Sequence, residues 1–300
     1  MSHQIDPRQF ARAGHSTIDA LVYLLQAVND AVDTGSCGAR LFFADYSKGF
    51  DMIDHSVLIE ELRNMHVHPV LVNWIIAFLC NRTQAVRIEN IISEWKTPKG
   101  GIPQGTKLGV ILFTIMTNNL LRSWNLRIKF VDDATALEII PRNSAILLNF
   151  VTNDIYAFSE DHRMKLNPTK CKEMLNNFMS NHNFIVNAII IGSNTIERVM
   201  TYKLLGVYVS NDLKWNHHVE VIMQKGNRRL YSLRVLKQCG APPASLAKVY
   251  TTIVRPVLEY PAPAWQNIPD FLSYKIESIQ KRAMRIIFPL MSYNEALRSR

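Results

Sequence analysis

Two short apolar segments of this chain each end at aspartate. RLFFA at residues 40–44 is followed by Asp45, and RIKFV at residues 127–131 is followed by Asp132 and Asp133. Short apolar runs bounded by polar turns are typical of buried strands. If the two strands are neighbours in one sheet, three carboxylates converge at one edge, where they repel one another unless a cation lies among them. Because an aspartate pair after a strand is also common in ordinary turns, this pattern alone leaves both interpretations open.

The chemistry of such a cluster favours magnesium. Carboxylate oxygens are hard ligands, and Mg²⁺ keeps several waters and takes substrate phosphates as its other ligands. Two such ions about 4 Å apart activate a 3′-hydroxyl and stabilise the departing oxygen in an in-line phosphoryl displacement. Converging carboxylates would therefore bind two Mg²⁺ ions, with Mn²⁺ as a substitute.

A bulky aromatic side chain follows the first aspartate. In DYSKGFD, Phe50 lies five residues after Asp45, so a turn can return its ring to the same site. There the ring would press against C2′ of a bound nucleotide and exclude a 2′-hydroxyl. The alternative is a core aromatic at a strand–helix junction, and the residues alone do not decide between the two.

A glycine-rich segment, GGIPQG at residues 100–105, precedes an apolar helix predicted over residues 106–121. Glycine lets the backbone approach a ligand closely, and a helix N-terminus favours a phosphate-bearing partner. The side chain of Gln104 offers both a donor and an acceptor to a sugar or base. A glycine-rich loop before a helix is a weak signal alone, but the PQG order makes it more specific.

These three elements, in this order, resemble the palm of reverse transcriptases. The chain from about Gln9 to Phe288 is similar to the reverse transcriptase domain of non-LTR (LINE-type) retrotransposons. The palm motifs are LFFADYSKGFDMIDH, GGIPQGTKLGVILFTIMTNNL and KFVDDATAL, followed by the lysine-bearing MKLNPTKCKEML and the hairpin YKLLGVYVSNDLKWNHHV. RRLYSLRVLKQCGAPP, IVRPVLEYPAPAW and QKRAMRIIF resemble the helical thumb and its extension. The resemblance implies an α+β fold: a right-hand polymerase palm with a small antiparallel sheet backed by helices, a helical thumb and incomplete fingers.

The resemblance also implies roles for residues at the acidic edge. Asp45, Asp132 and Asp133 correspond to the catalytic carboxylates that bind the metal ions, and the backbone carbonyl of Tyr46 would complete the ligands of one metal. Lys170 corresponds to the lysine proposed to give a proton to the pyrophosphate leaving group.

Three further residues correspond to the nucleotide site of the family. Phe50 matches the steric gate that selects deoxynucleotides, while Gln104 and Gly105 match the loop that touches the incoming nucleotide and the template. The implied enzyme is an RNA-directed DNA polymerase, a nucleotidyltransferase in which a primer 3′-hydroxyl attacks the α-phosphate of a dNTP. Its partners would be an RNA template and a DNA primer.

An RNA-dependent RNA polymerase is the nearest competing class, since it shares the palm and the paired carboxylates. That class usually has a small or polar group at the ribose-selecting position, glycine before the two aspartates, and a serine–glycine motif in place of PQG. Phe50 and Val131 occupy the first two positions in this chain. The sequence therefore favours a DNA polymerase.

The chain departs from the family's pattern near its N-terminus. It begins after the Arg-Pro-Ile-Ser-type segment that helps to grip the triphosphate, and His15 stands where relatives have arginine in a Gly-Arg-Ser-Thr stretch. We therefore expect metal binding to survive and triphosphate affinity to suffer. The alternative is an N-terminally truncated, catalytically inactive retroelement relic that at most binds nucleic acid.

The net charge of +9 is confined to the C-terminal quarter of the chain. Residues 225–300 contain 13 Lys and Arg against 4 Asp and Glu, whereas residues 1–224 contain 21 of each kind. Such a positive field suggests a polyanion such as nucleic acid, and the basic cluster Lys281, Arg282 and Arg285 lies on a predicted helix. A solvated surface would explain the same charge, so both interpretations stay open.

We expect three regions: partial fingers over residues 1–36, the palm over 37–216, and a helical thumb with its C-terminal extension over 217–300. Four scattered cysteines without a CxxC pair indicate neither a disulfide framework nor a structural zinc site. Neither a signal peptide nor a membrane-length apolar segment is visible, so an intracellular location without a membrane partner is expected, nuclear or cytoplasmic. The pair His217–His218 is expected at the surface. The oligomeric state stays open.

Overall fold

The computed structural model describes residues 5–34, 38–80, 82–141, 146–178 and 186–298. The chain forms two compact units, Met1–Met200 and Thr201–Arg300. This division concerns compactness and does not test the roles of the three predicted regions, 1–36, 37–216 and 217–300, which stay predictions.

Within the described residues, the first unit is built on nine short strands. They are β1 Gly38–Ala44, β2 Arg87–Ile88, β3 Ile91–Ile92, β4 Arg127–Phe130, β5 Asp133–Ile140, β6 Lys172–Asn177, β7 Ile190–Ile191, β8 Asn194–Thr195 and β9 Glu197–Arg198. Five of them form the central sheet in the order β4-β5-β1-β6-β9, and β2–β3 and β7–β8 form two separate hairpins. β5 pairs antiparallel with both β1 and β4. β1 and β4 therefore run in the same direction and end at the same edge of the sheet.

In the same described ranges, five helices accompany these strands: α1 Thr17–Asp33, α2 His55–Asn64, α3 Pro69–Leu79, α4 Lys107–Met116 and α5 Leu148–Asp161. A capping box of Ser16 and Asp19 starts α1. The side-chain oxygens of Asp54 and Thr106 cap α2 and α4, and Pro69 lies in the first turn of α3. Each of these N-termini is therefore fixed by a local sequence signal.

The core of the first unit lies against the central sheet. All seven residues of β1 are buried, as expected of a strand with no face open to solvent. Phe42 on β1 belongs to one buried cluster with Leu112 and Phe113 of α4 and Ile155 of α5. Helices α4 and α5 therefore share the apolar core that supports the end of β1.

The predicted strands at 40–44 and 127–131 are present as β1 and β4, but they are not neighbours, because β5 lies between them. The sequence does not predict β5, since its first residue, Asp133, is interpreted as the end of a strand. The helix predicted over 106–121 ends at Met116. The expected α+β class, with a small antiparallel sheet packed against helices, is confirmed.

The second unit is mainly helical. It contains the hairpin β10 Thr201–Leu204 and β11 Val207–Ser210, then α6 Asn216–Gln238, α7 Pro243–Val249, a π-helical segment Tyr250–Val254, α8 Arg255–Glu259, α9 Ala262–Trp265, α10 Asp270–Ile287 and α11 Tyr293–Arg298. Leu230 and Leu233 of α6 and Ile279 of α10 lie in its core. At Gly226 a Cβ atom would lie 3.0 Å from Leu258 and 3.4 Å from Ile279, so the small residue lets the helices approach closely.

The predicted surface position of His218 is wrong. Its side chain is 2% exposed and packs edge-on against the rings of Trp215 and Trp265. Burial, with the nearby charges of Lys225 and His217, lowers the pKa of His218 to about 4. Among the described residues, no helix is both long enough and apolar enough to cross a membrane.

Candidate active site

The topology of the sheet brings the three predicted carboxylates to one edge. Asp45 directly follows β1, Asp132 lies in the turn between β4 and β5, and Asp133 is the first residue of β5. Ala134 pairs with β1 on one side and with β4 on the other. The C-terminal ends of β1 and β4 therefore lie on either side of the start of β5. The expected convergence is therefore present, with a third strand supplying the connection.

The turn that carries Asp132 is strained. Val131 has φ of 56°, a left-handed conformation that β-branched residues rarely adopt. Strain of this kind costs about 1–3 kcal/mol and persists only where the surrounding structure enforces it. Here Phe130 and Asp133 pair across the turn, and the side chain of Asp132 is exposed.

The electrostatics of this edge disfavour a further negative charge. Desolvation by the surrounding protein, together with the charges of Asp132 and Asp45, raises the pKa of Asp133 to about 6, although its side chain still contacts solvent. Desolvation also raises the pKa of Asp45, opposed by the charge of Lys170 and reinforced by that of Asp132. A cation among these groups would relieve both effects.

Asp45 carries the most direct indication of a cation site. Its Oδ1 atom is buried and has no hydrogen-bond partner, which is costly for a carboxylate oxygen. Oxygen donors of this kind suit Mg²⁺, so the donor set of Asp45, Asp132 and Asp133 fits a divalent ion. Within the described ranges, however, the structure contains no group of three or more His, Cys, Asp or Glu side chains that is already arranged to hold a metal ion.

Lys170 lies beside Asp45. The backbone around Asp45 pairs with residues 165–167: Ser47 donates its N–H to the Lys165 carbonyl, and Asn167 donates its N–H to the Asp45 carbonyl, both at 2.8 Å. The following turn brings Lys170 Nζ to 3.8 Å from Asp45 Oδ1, and 66% of the lysine side chain remains exposed. The structure therefore places the predicted proton donor at the acidic edge, with its ammonium accessible.

The side chains of Tyr46 and Phe50 have different surroundings. The Tyr46 ring is buried, its hydroxyl lies 3.3 Å from Ser159 Oγ, and burial raises the pKa of Tyr46. Its side chain therefore belongs to the core, and the predicted ligand is its backbone carbonyl. The Phe50 ring is half-buried and stacks on Phe113, with ring centroids 4.8 Å apart, so it is fixed in orientation and partly open.

The glycine-rich loop is held against the segment that carries Phe50. Ile102 donates its N–H to the Phe50 carbonyl, and Gly101 donates to the Ile53 carbonyl, both at 2.8 Å. Gly101 has φ of 80°, and a Cβ atom there would lie 2.7 Å from the Asp51 carbonyl oxygen. Glycine is therefore required at position 101 for both conformation and space.

Gln104 and Gly105 follow at the exposed end of this loop. Gly105 has φ of 81°, and the exposed Gln104 lines a cavity of about 540 Å³ together with Arg82 and Lys99. The two predicted nucleotide-contacting residues are therefore accessible, and Gln104 borders a cavity that Arg82 and Lys99 also line.

Arg82 is a residue of this site that the sequence does not reveal. Its guanidinium donates to the carbonyls of Gly100 at 3.2 Å and Gly101 at 2.8 Å. His55 Nε2 lies 2.8 Å from the same Gly101 carbonyl. Because the partners of Arg82 are backbone atoms, no side-chain pattern in the sequence marks it.

A buried ion-pair network fixes β4, whose end carries Asp132. Asp6 is fully buried, and its carboxylate lies 2.6 Å from both Arg127 Nη2 and Lys129 Nζ on that strand. Burial raises the pKa of Asp6, but hydrogen bonds and charge from Arg127 and Lys129 outweigh burial and lower the value to about 2. Burial lowers the pKa of Lys129 to about 8, opposed by Asp6. The N-terminal segment is thus bonded to the central sheet.

The predicted basic cluster on α10 is divided by the structure. Lys281 and Arg285 are exposed and lie one turn apart beside a small cavity. Arg282 is half-buried, and its Nε donates to the Ser278 carbonyl at 3.2 Å. Of the three residues, only Lys281 and Arg285 lie beside the same cavity.

Residues 3–219 match the family described as reverse transcriptase (RNA-dependent DNA polymerase). The chain therefore belongs to the reverse transcriptase family, as the fold and the acidic edge indicate.

Curated relatives confirm the resemblance to non-LTR retrotransposons. The chain is 24% identical over 290 residues to the probable RNA-directed DNA polymerase from transposon BS of Drosophila melanogaster, covering 92% of this chain and 32% of that protein. It is 21% identical over 294 residues to the RNA-directed DNA polymerase from mobile element jockey of the same organism, covering 92% and 31%. The chain thus spans about a third of the length of these relatives.

Among solved structures, apo telomerase from Candida tropicalis has a similar fold. The TM-score is 0.52 at 13% identity, covering 91% of this chain and 46% of that chain. At this identity the likeness concerns the fold alone, and it agrees with the predicted polymerase palm.

Proposed function

We propose that this chain is the polymerase core of an RNA-directed DNA polymerase that extends a DNA primer on an RNA template with dNTPs. The observation that carries the proposal is the convergence of Asp45, Asp132 and Asp133 at one sheet edge in a chain of the reverse transcriptase family. The Oδ1 atom of Asp45, which is buried and has no hydrogen-bond partner, supports a cation there.

In this proposal the three carboxylates, with the backbone carbonyl of Tyr46, hold two Mg²⁺ ions, and Mn²⁺ can replace them. When bound, these ions supply positive charge that activates the primer 3′-hydroxyl and stabilises the leaving oxygen. The strained turn at Val131 and the pairing of residues 45–47 with 165–167 keep the carboxylates in place before substrate arrives. Catalysis then depends mostly on positioning and charge stabilisation.

The remaining predicted residues would act on the nucleotide. The Phe50 ring, fixed by Phe113, would exclude a ribose 2′-hydroxyl. Gln104 and Gly105 would contact the incoming nucleotide and the template from the loop beside it. Lys170, with its accessible ammonium next to Asp45, would give a proton to the departing pyrophosphate.

Nucleic acid would also contact the second unit. Lys281, Arg282 and Arg285 are the predicted residues, within a C-terminal quarter that has 13 basic against 4 acidic residues. Basic side chains that bind phosphates release the counterions condensed on the nucleic acid, so the affinity from such contacts falls steeply as the salt concentration rises. Removing all three charges should therefore flatten the slope of log affinity against log salt if they contact phosphates.

Primer extension on an RNA template with Mg²⁺ tests the proposal. Wild type should extend with dNTPs, and Asp132→Ala should abolish product, while Asp154→Ala, at an exposed acid on α5, should not. Phe50→Ala should allow incorporation of ribonucleotides. No product from folded wild-type protein, or equal product from wild type and Asp132→Ala, would reject catalysis by this chain and favour the alternative, a relic that only binds nucleic acid.

A further inference from the structure

The second unit contains a small cavity between α10 and α11. Its volume is about 240 Å³, and its lining comes from Lys281, Met284 and Arg285 on α10 and from Met291, Ser292, Tyr293 and Ala296 around α11. This volume lies below the roughly 300–1,000 Å³ of sites for drug-sized ligands. The cavity is therefore of a size for a single planar group and not for a duplex.

The base and wall of the cavity are apolar and well ordered by contacts. Met284 and Ala296 are each 1% exposed. The Tyr293 hydroxyl accepts a hydrogen bond from Gln280 Nε2 at 2.7 Å and donates to Glu277. Because both bonds hold the hydroxyl, the orientation of the ring is set before any ligand binds, which lowers the entropic cost of stacking on it.

Two cations border the cavity. Lys281 and Arg285 are exposed, and neither forms a salt bridge among the described residues. The Lys281 ammonium lies 5.5 Å from the centroid of the Tyr293 ring, so positive charge lies directly beside an aromatic surface. The carboxylates nearby are occupied: Glu277 accepts from Tyr293, and Glu295 accepts from Ser292.

An apolar slot with an aromatic wall and unpaired cations at its rim is the arrangement that binds single-stranded nucleic acid. A base stacks on the ring, and the backbone phosphate contacts the cations, largely without regard to sequence. An acidic peptide would use the cations but gain little from a slot lined by methionine and tyrosine. The chemistry therefore favours an unpaired nucleotide.

We propose that the cavity between α10 and α11 binds one unpaired nucleotide of a single strand, with its base against Tyr293 and Met284 and its phosphate on Lys281 and Arg285. The inference extends the proposed nucleic-acid role of the second unit but does not depend on polymerase activity. Arg282 contributes little to this site, since it is half-buried and bonded to Ser278.

The test uses the full chain and a short fluorescein-labelled oligouridylate, without dNTPs, in fluorescence anisotropy. Lys281→Gln and Arg285→Gln should each weaken binding several-fold and reduce the salt slope by about 1. Tyr293→Leu should weaken binding about tenfold, the scale of one lost base stack, with an unchanged salt slope, and Tyr293→Phe should restore most of it. A 4-thiouridine version of the oligonucleotide should crosslink to Tyr293 or Met284.

Lys275→Gln is the matched control. Lys275 lies on the same helix, and its ammonium is 5.7 Å from the Phe271 ring, but it does not line the cavity. It should change affinity by less than twofold. Equal losses from Lys275→Gln and Lys281→Gln, no crosslink to the cavity, or stronger competition by a polyglutamate peptide than by unlabelled oligouridylate would overturn the proposal. Because no synthesis is measured, failed primer extension would leave this result intact.

Discussion

Replacing Gly101 with alanine tests whether the glycine-rich loop is held against the Phe50 segment. An alanine Cβ at this position would lie 2.7 Å from the Asp51 carbonyl oxygen and 3.0 Å from its carbonyl carbon and Cα. These are backbone atoms, so they cannot move aside as a flexible side chain does. The variant must therefore displace one of the two segments.

Gly105 provides a matched control in the same loop. Its φ of 81° is nearly that of Gly101 at 80°, but nothing lies within 4 Å of an added Cβ. Both alanine variants thus share the cost of a left-handed L-residue, about 1 kcal/mol. Gly101→Ala adds the steric clash, typically about 1–3 kcal/mol when a packed site is overfilled. We expect losses of about 2–4 kcal/mol for Gly101→Ala and about 1 kcal/mol for Gly105→Ala.

Urea unfolding followed by circular dichroism measures the two losses, with hydrogen exchange as the local readout. In Gly101→Ala the amides of residues 101 and 102, which donate to the Ile53 and Phe50 carbonyls, should exchange faster. In Gly105→Ala they should remain protected. Equal losses of stability with unchanged exchange at both amides would show that the loop does not contact the Asp51 backbone as described.

Three further predictions follow from other contacts. Arg82→Gln should raise the KM for dNTP several-fold with a smaller change in kcat, and it should speed hydrogen exchange at Ile102. Arg82→Lys keeps the charge but loses the planar guanidinium, so it should lie between wild type and Arg82→Gln. An unchanged KM and exchange rate would remove Arg82 from the site. Asp6→Asn should destabilise the first unit by about 3–5 kcal/mol, because two buried cations lose their counter-ion. In wild type, the pKa of Asp6 is about 2 in the folded protein against 3.8 in the unfolded chain. About 2 kcal/mol of stability is therefore present above pH 3.8 and lost as pH falls towards 2. The same dependence of unfolding free energy on acid pH in Asp6→Asn would contradict this. The pKa of His218 in the folded protein is about 4, against 6.5 in the unfolded chain. Its contribution to the stability of the second unit is therefore fully present above pH 6.5, and about 3 kcal/mol is lost as pH falls to 4. His218→Phe should reduce this loss, measured by thermal unfolding across that pH range.

Sequence reasoning located the acidic edge because its chemistry is written in side chains at strand ends. It did not reveal β5, because Thr135 and Glu138 interrupt the apolar pattern although both are buried. The Glu138 carboxylate accepts N–H groups at the start of α5, from Leu147 and Leu148, which explains how a charged residue is tolerated there. Only the tertiary structure supplies that partner.

Other residues were missed for the same kind of reason. Arg82 bonds to backbone carbonyls, which have no sequence signature, and His218 is buried by aromatic rings from two separate segments. The basic cluster on α10 was predicted as one set from its spacing. The structure separates Arg282 from the other two. Lys281 and Arg285 are four residues apart and share one face of the helix, whereas Arg282 directly follows Lys281 and lies on a different face.

The bond between Asp6 and β4 bears on where the first folding unit begins. A fragment starting after Phe10 would retain every helix and strand of that unit, yet Arg127 and Lys129 would be left as buried charges without a carboxylate. Trimming guided by secondary structure would therefore choose the wrong boundary. The irregular segment around Asp6 is an internal part of the first unit in energetic terms, although it lies ahead of the first regular element along the chain.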